Sequence, residues 1–320
     1  MNSGDQAISF TILTATYNRA HTLGRVYRSL CLQSRRDLEW VVVDDGSTDN
    51  TRELVEAWKR DAPFTVRYFW QPNQHKKSAF NRGVRESRGE WIVGLDSDDE
   101  LEPRALQRMG EIWLEIAPEE RARYVGITGL CVRADGTVVG DRFPRDTMDA
   151  TSLDMHFRHH VRGEKFGCQS ASVLRKFPFR EDTAGFVPEG SVWGAIARAG
   201  YLTRYVNEVF RVYHAGTDSY SRQTVSAANA AGLLLLAHET LEHNVAWFRY
   251  RPSAFFMAAA RYTRFSIHVV KNASPRPVGM HLTHPLSKVL VAAMAPVGVA
   301  LYLSDRRTRR NRSTRPLMLG

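Results

Sequence analysis

Cysteine is scarce in this chain: Cys31, Cys131 and Cys168 are the three among 320 residues. An odd number at wide spacing, with no Cys-x-x-Cys, excludes a disulfide framework and a thiolate zinc site, so these residues read as small core side chains. The first residues lack a basic stretch followed by an apolar run, so no secretory leader is expected and the folded part is expected to be cytoplasmic. Helix-turn-helix patterning, zinc-finger spacing and RNA-binding aromatic signatures are all missing, which argues against a nucleic-acid partner. Acid is in deficit, with 34 Asp and Glu against 44 Lys and Arg. That deficit is local, because Arg306, Arg307, Arg309, Arg310, Arg312 and Arg315 follow Asp305 with no acid among them. Such a run suits a solvated end or an anionic membrane surface. Repeats are absent, and 43% hydrophobic content is enough for one large core plus an appendage.

What is there begins as an alternation of strands and helices. Ile8 to Thr14 is apolar and β-rich, and His21 to Gln33 sets Leu23, Val26, Tyr27 and Leu30 on one helical face. Leu38 to Val43 is an apolar run but for Glu39, as expected of a strand buried on both faces of a parallel sheet, and a short helix over Thr51 to Trp58 follows a Gly-Ser-Thr-Asp turn. Val66 to Trp70 and Trp91 to Leu95 read as two more strands, separated by a helix over Ser78 to Ser87, and Pro103 opens a helix running to about Ala117. An Asp135-Gly136 turn between apolar segments signals a hairpin within Tyr124 to Val139, so the second half of the domain is expected to be mixed. Phe166 to Leu174 and Val206 to Tyr213 are further strands, with a helix over Ser191 to Ala199. Long helical segments follow at about 224–246 and 253–271, then a Pro-Arg-Pro linker at 275–277.

Acidic residues recur where the strands end, and open α/β sheets bind ligands beyond those ends. The densest cluster is Leu95-Asp96-Ser97-Asp98-Asp99-Glu100, where Asp96 and Asp98 alternate so that both can reach one hard cation holding a diphosphate. An acidic turn capping the next helix is the other reading of the same residues. Asp45, after the second strand, can accept hydrogen bonds from a base or ribose, and Tyr17, after the first, offers a flat face to a base; turn capping and packing are their alternatives. In Asn73 to Gly83, Lys76 and Arg82 stand at or near the start of a helix, where they can approach phosphate oxygens or form a solvated basic face. His156, His159 and His160 lack the regularity of a zinc site and read as surface residues.

Three blocks in order, Thr14-Ala15-Thr16-Tyr17-Asn18-Arg19, Val41 to Asp49 and the acidic cluster, together with the stretch Asn73 to Trp91, resemble the family 2 glycosyltransferases. The resemblance implies an α/β fold of GT-A type: a mainly parallel central sheet with flanking helices over 6–222, then a helical extension over 223–304 and a basic tail over 305–320. It implies a nucleotide-sugar donor, a UDP-sugar first, held by Thr16, Tyr17, Arg19, Asp45, Lys76, Arg82 and Asp96. A divalent metal, Mg or Mn, would rest on Asp96 and Asp98, with His214 returning as a third ligand. Transfer would proceed with inversion to a hydroxyl of a glycan or lipid-linked saccharide, as in polysaccharide biosynthesis. The segment Phe186 to Trp193 resembles the family's acidic motif before a helix, which makes Glu189 the general base, with Glu181 and Asp182 as rivals and helix capping as the other role. Two departures stand out, since many relatives have glycine where His75 stands and a second acid where Gly190 stands. A metal-dependent nucleotidyltransferase is the alternative on the same fold, though it would want a glycine-rich basic loop where Thr14 to Arg19 is. A scaffold that has lost turnover is the non-enzyme alternative.

Pro285 to Leu303 is apolar and nearly long enough to span a bilayer, but Ser287, Lys288 and a central Pro296 weaken a crossing. An in-plane or re-entrant contact at the cytoplasmic face of a membrane is the preferred expectation, ahead of a packed soluble helix and then of a true crossing.

Overall fold

A computed structural model describes residues 9–214, 229–271 and 279–313, with side chains to 307. The 275–277 linker, the expected boundary at 222 and most of the arginine run lie outside the described residues or side chains. The chain divides into two compact units, Met1–Phe179 with Val192–Ser219, and Arg180–Ser191 with Tyr220–Gly320.

The first unit is built on a nine-stranded sheet of order β3-β2-β1-β4-β8-β6-β9-β5, with β7 paired to β9. Its opening half is β1 (Phe10–Thr16), α1 (Ala20–Cys31), β2 (Leu38–Asp44), α2 (Thr51–Asp61), β3 (Thr65–Trp70), α3 (His75–Glu86) and β4 (Trp91–Gly94). These four strands are parallel, and the register sets Thr16 beside Asp44 and Asp44 beside Trp70, so three strands end level with one another. Every residue of β2 is buried, which is why its sequence lacks polar alternation. The one acid inside it, Glu39, is accommodated by Thr11 Oγ1 donating at 2.7 Å, the Arg88 amide at 2.6 Å and the Arg67 guanidinium at 3.2 Å. On one face, Tyr27 of α1 stacks on Trp58 of α2 at 4.9 Å over Trp40 of β2.

The second half comprises β5 (Glu100–Leu101), α4 (Ala105–Leu114), β6 (Tyr124–Arg133), β7 (Thr147–Ala150), β8 (Lys165–Ser170), α5 (Ala171–Lys176), α6 (Gly190–Arg198) and β9 (Leu202–Tyr213). Here β8 is antiparallel to both β4 and β6, β5 and β7 are antiparallel to β9, and β6 and β9 run parallel, so this half is mixed, as expected. The expected hairpin forms, with Gly136 at φ +81° and Val139 N donating back to the Cys131 carbonyl at 2.9 Å. Phe166 to Leu174 is not one strand: it turns into α5 after Ser170, because a short apolar run such as Val173-Leu174 serves either element and the helix wins. Cys131 and Cys168 are core residues, Cys31 is half-buried, and all three thiols are free.

In the second unit, residues 224–228 of the expected helix lie outside the described residues, and its described part is α7 (Ala230–His238), after which the chain widens into a π turn over Glu239–His243. It continues in α8 (Pro252–Lys271) and α9 (Pro285–Ser313). Gly298 of α9 faces α8 so closely that a methyl group there would lie 2.6 Å from the Ala260 carbonyl oxygen. Further along, Asp305 accepts from Arg264 Nε at 2.7 Å and sits 2.8 Å from His268 Nε2, so the two helices run side by side in the same direction.

Candidate active site

The level ends of β1, β2 and β3 place the following loops together. Asn18 adopts φ +51°, a conformation its short polar side chain tolerates, and its Oδ1 accepts from the Thr48 amide at 2.8 Å while its own amide donates to Ser47 Oγ at 2.8 Å. The loops after β1 and β2 are thereby laced into one surface. Asp45 is 3% exposed, and its Oδ1 accepts from Gln71 Nε2 at 2.8 Å and the Gln74 amide at 2.9 Å. Tyr17 stands beyond the end of β1 with its ring 46% exposed. Thr16 Oγ1 is buried and makes no hydrogen bond, a hydroxyl left over at the carboxyl edge of the sheet.

Leu95 N donates to the Leu13 carbonyl at 2.9 Å, which carries the register of β4 one residue further and sets Asp96 at the same edge. Lys76 Nζ, from the first turn of α3, donates to Asp96 Oδ1 at 2.6 Å. Burial works to raise the Asp96 carboxyl, but Lys76 and Arg211 outweigh it and hold the group below the usual carboxylate range. Asp98 moves the other way: burial and the Asp96 charge push it up, with Arg19 partly offsetting them. Arg19 therefore belongs with the acidic turn. Arg82 does not, since its Nη1 donates to the Trp70 carbonyl at 2.7 Å and its guanidinium lies over Phe69, tying it to the end of β3.

Sequence reasoning missed Arg211, which is 3% exposed inside β9. Its guanidinium lies 3.5 Å from Asp96, 3.3 Å from Asp99 and 3.4 Å from Glu164, and over the Phe166 ring at 4.9 Å. The two Asp contacts are ion-pair distances without hydrogen-bond alignment, and Arg211 Nε and Asp99 Oδ2 are buried with no hydrogen bond. Burial pushes Asp99 up to about 7, against Arg211 and with the help of Asp96. An arginine inside the apolar run Val209-Phe210-Arg211-Val212-Tyr213 was the available signal, because a buried cation requires buried acids nearby.

His214 follows β9, and its amide donates to Asp99 Oδ1 at 2.9 Å. Its Nε2 lies 3.0 Å from Glu100 Oε1 but out of line, so that buried nitrogen makes no hydrogen bond. The imidazole is thus at the acidic turn, beside Asp99 and Glu100. Among the described residues, no three of His, Cys, Asp and Glu form a ready ligand cage. The donor set nevertheless suits a divalent cation: two carboxylates two residues apart repel one another, and the His214 imidazole nitrogen, which makes no hydrogen bond, stands beside that turn.

His75, where glycine is common in the resembling family, has φ +69°. The backbone keeps the left-handed conformation that glycine adopts freely, and the histidine bears the strain. Glu189 belongs to the second unit and is exposed, directly before α6. Of its rivals, Asp182 is gripped by Arg180 at 2.7 and 3.1 Å, and that guanidinium holds its carboxyl below the ordinary range, which makes it a poor base.

The fold and this edge define an open-sheet α/β protein of the kind whose ligands sit beyond the carboxyl ends of the strands. Residues 11–119 match the model of Glycosyl transferase family 2. The chain is 37% identical over 106 residues to an uncharacterised glycosyltransferase of Nostoc sp., covering 33% of each protein. It is 26% identical over 210 residues, 63% of each protein, to the GalNAc(5)-diNAcBac-PP-undecaprenol beta-1,3-glucosyltransferase of Campylobacter jejuni. With the Nostoc protein and a Mycoplasma pneumoniae glycosyltransferase, the matched stretch spans about a third of the relative's length. Among solved structures, S. aureus TarS in complex with UDP-GlcNAc superposes at TM-score 0.63 with 16% identity over 95% of this chain and 92% of that one. The mannosyltransferase PcManGT of Pyrobaculum calidifontis, in complex with GDP-Man and Mn2+, gives 0.51 with 18% identity over 92% and 86%. The matched region, residues 11–119, is thus similar to the family 2 glycosyltransferases, and the chain carries a GT-A fold.

Proposed function

We propose that the chain is an inverting glycosyltransferase that moves a sugar from a nucleotide-sugar, a UDP-sugar first, to a hydroxyl of a glycan or lipid-linked saccharide. The observation that carries this is the acidic turn at the carboxyl edge of the sheet, with Lys76 already seated on Asp96, inside the residues that match the family. The acceptor class draws support from the Campylobacter relative, whose name specifies an undecaprenol-linked substrate, and the donor class from the UDP-GlcNAc bound to TarS.

In this reading Tyr17 covers the base and Asp45, held rigid by Gln71 and Gln74, accepts from base or ribose. Thr16 Oγ1 gains the partner it otherwise lacks. Lys76 leaves Asp96 for a diphosphate oxygen, and Arg19 stays close enough to share that charge. Asp96 and Asp98, with His214 beside them, would hold Mg or Mn, which when bound supplies positive charge to the departing diphosphate. Glu189 takes the proton of the acceptor hydroxyl as its oxygen attacks the anomeric carbon and the bond to the diphosphate breaks, inverting that centre. Calorimetric titration with UDP, GDP, CDP and dTDP, each with and without Mn2+, tests the proposal. Metal-dependent binding of one nucleotide is expected, and binding of none would overturn it.

A further inference from the structure

Helix α9 has two unlike sides. One packs on α8 through Gly298, Tyr302 and Asp305, with the Tyr302 ring 4.8 Å from that of His268. The other is apolar and bare: Val289 is 65% exposed and Leu303 47%, with Val297 and Val299 exposed between them. The window Pro285–Arg307 has a mean hydropathy of 1.8, yet only 22% of it is buried, so α9 is not the core helix of a soluble fold. Between Pro285 and Ser304 the only charge is Lys288, at one end; Arg306 and Arg307, both exposed, stand at the other. At 1.5 Å per residue, Lys288 and Arg306 are roughly 27 Å apart along the axis. An apolar stripe bracketed by cations complements an anionic lipid surface, with aliphatic side chains in the acyl boundary and bases among the headgroups.

The packed side decides between lying on the bilayer and crossing it. The seam with α8 contains the Arg264–Asp305 ion pair with His268, and α8 also exposes Arg261. Among the described residues α9 alone passes as a span by length and composition. A crossing α9 would have to shed α8 or draw its charges into hydrocarbon, and both are costly. We infer that α9 is an in-plane anchor for an anionic bilayer, inserting its Val289, Val297, Val299 and Leu303 face while α8 holds it from behind. The surface is independent of the chemistry proposed above, and lipid binding reads it without turnover.

The test is flotation of the full chain with vesicles of phosphatidylcholine alone and of an equal mixture with phosphatidylglycerol, beside a UDP titration as a control for folding. The native chain is expected to float with the mixed vesicles, to bind pure phosphatidylcholine more weakly, and to bind the mixed vesicles less as salt is raised. A Val297→Asp/Leu303→Asp double variant should bind the mixed vesicles at least about tenfold more weakly, and Arg306→Ala/Arg307→Ala, which leaves the rest of the arginine run, should cut the preference for the anionic lipid by roughly tenfold, both with unchanged UDP binding. Three results would overturn the inference: no binding of the native chain to mixed vesicles, equal binding by the double Asp variant, or retention in the bilayer through alkaline carbonate washing, which marks a crossing. A dimer without lipid that the Asp substitutions dissociate would likewise overturn it, by assigning the face to a second copy of the chain.

Discussion

Replacing Arg211 by Met removes the buried cation beneath the acidic turn while keeping much of the side chain that covers Phe166. Breaking a buried ion cluster by deleting one partner costs about 3–5 kcal/mol, most of it from the charges left behind. That remainder depends on pH, and the sign follows from Asp99. In the native chain its carboxyl holds a proton up to about 7, whereas an unfolded aspartate releases it near 4. Between those values the folded state binds more protons than the unfolded one, so this group's contribution to stability falls as pH rises. Arg211 opposes that trend, because its charge draws the Asp99 carboxyl down. Without Arg211 the window extends upward, each additional pH unit costing up to about 1.4 kcal/mol. We therefore expect Arg211→Met to lose about 1–2 kcal/mol at pH 5, where Asp99 is protonated in both chains, and about 3–4 kcal/mol at pH 8. Urea denaturation followed by tryptophan fluorescence in metal-free buffer measures both. An equal loss at the two pH values would refute the electrostatic account and leave Arg211 as packing against Phe166.

Asp98→Ala should abolish the metal-dependent part of UDP binding, and unchanged calorimetric affinity with Mn2+ would remove Asp98 from the ligand set. Glu189→Gln should retain donor binding and lose transfer by at least about a hundredfold, so a near-normal rate in a radiolabelled-sugar assay would place the base elsewhere. His75→Gly relieves a left-handed residue at φ +69°, and after the entropy glycine loses on folding it should raise stability by about 0.5–1 kcal/mol in chemical denaturation; a destabilised variant would mean that the imidazole makes compensating contacts. Burial works to raise the Asp305 carboxyl, but Arg264 and His268 hold it low, so its stabilisation of the α8–α9 pair is complete above about pH 4 and disappears as pH falls further. Hydrogen exchange of the α9 amides at pH 3 and pH 6 should show protection lost at the lower value, and equal protection would contradict the linkage.

The first hundred residues were nearly readable from the sequence because parallel strands buried on both faces leave a largely apolar trace, as Leu38 to Val43 does with Glu39 its one interruption. The acidic turn was readable for a related reason: a charge inside a buried strand needs dedicated partners, as Glu39 has, so the acids Asp45 and Asp96 after apolar runs mark where β2 and β4 end. The second half depends on pairings distant in sequence. Nothing local tells that β8 enters antiparallel between β4 and β6, nor that Thr147 to Ala150, four residues with an acid among them, join β9 as β7. Arg211 was visible as a letter but not as a neighbour of Asp96, from which it is separated by most of the domain. Arg82 illustrates the opposite error, a basic residue in a promising stretch whose side chain is spent on the end of a strand. The departure at His75 was legible as an unusual residue, but only the backbone angle tells that the loop kept its shape.

The contact between Lys76 and Asp96 has a bearing on turnover. Because Asp96 is already matched by Lys76 and Arg211, a nucleotide carrying a metal would meet partners there that must be swapped rather than gained. In the proposed reaction, binding by exchange would recover the original ion pair when the nucleoside diphosphate leaves, so the same 2.6 Å contact that opposes entry would assist release. An enzyme arranged this way trades tightness for rapid emptying, which suits a catalyst whose spent product keeps most of the donor's charge.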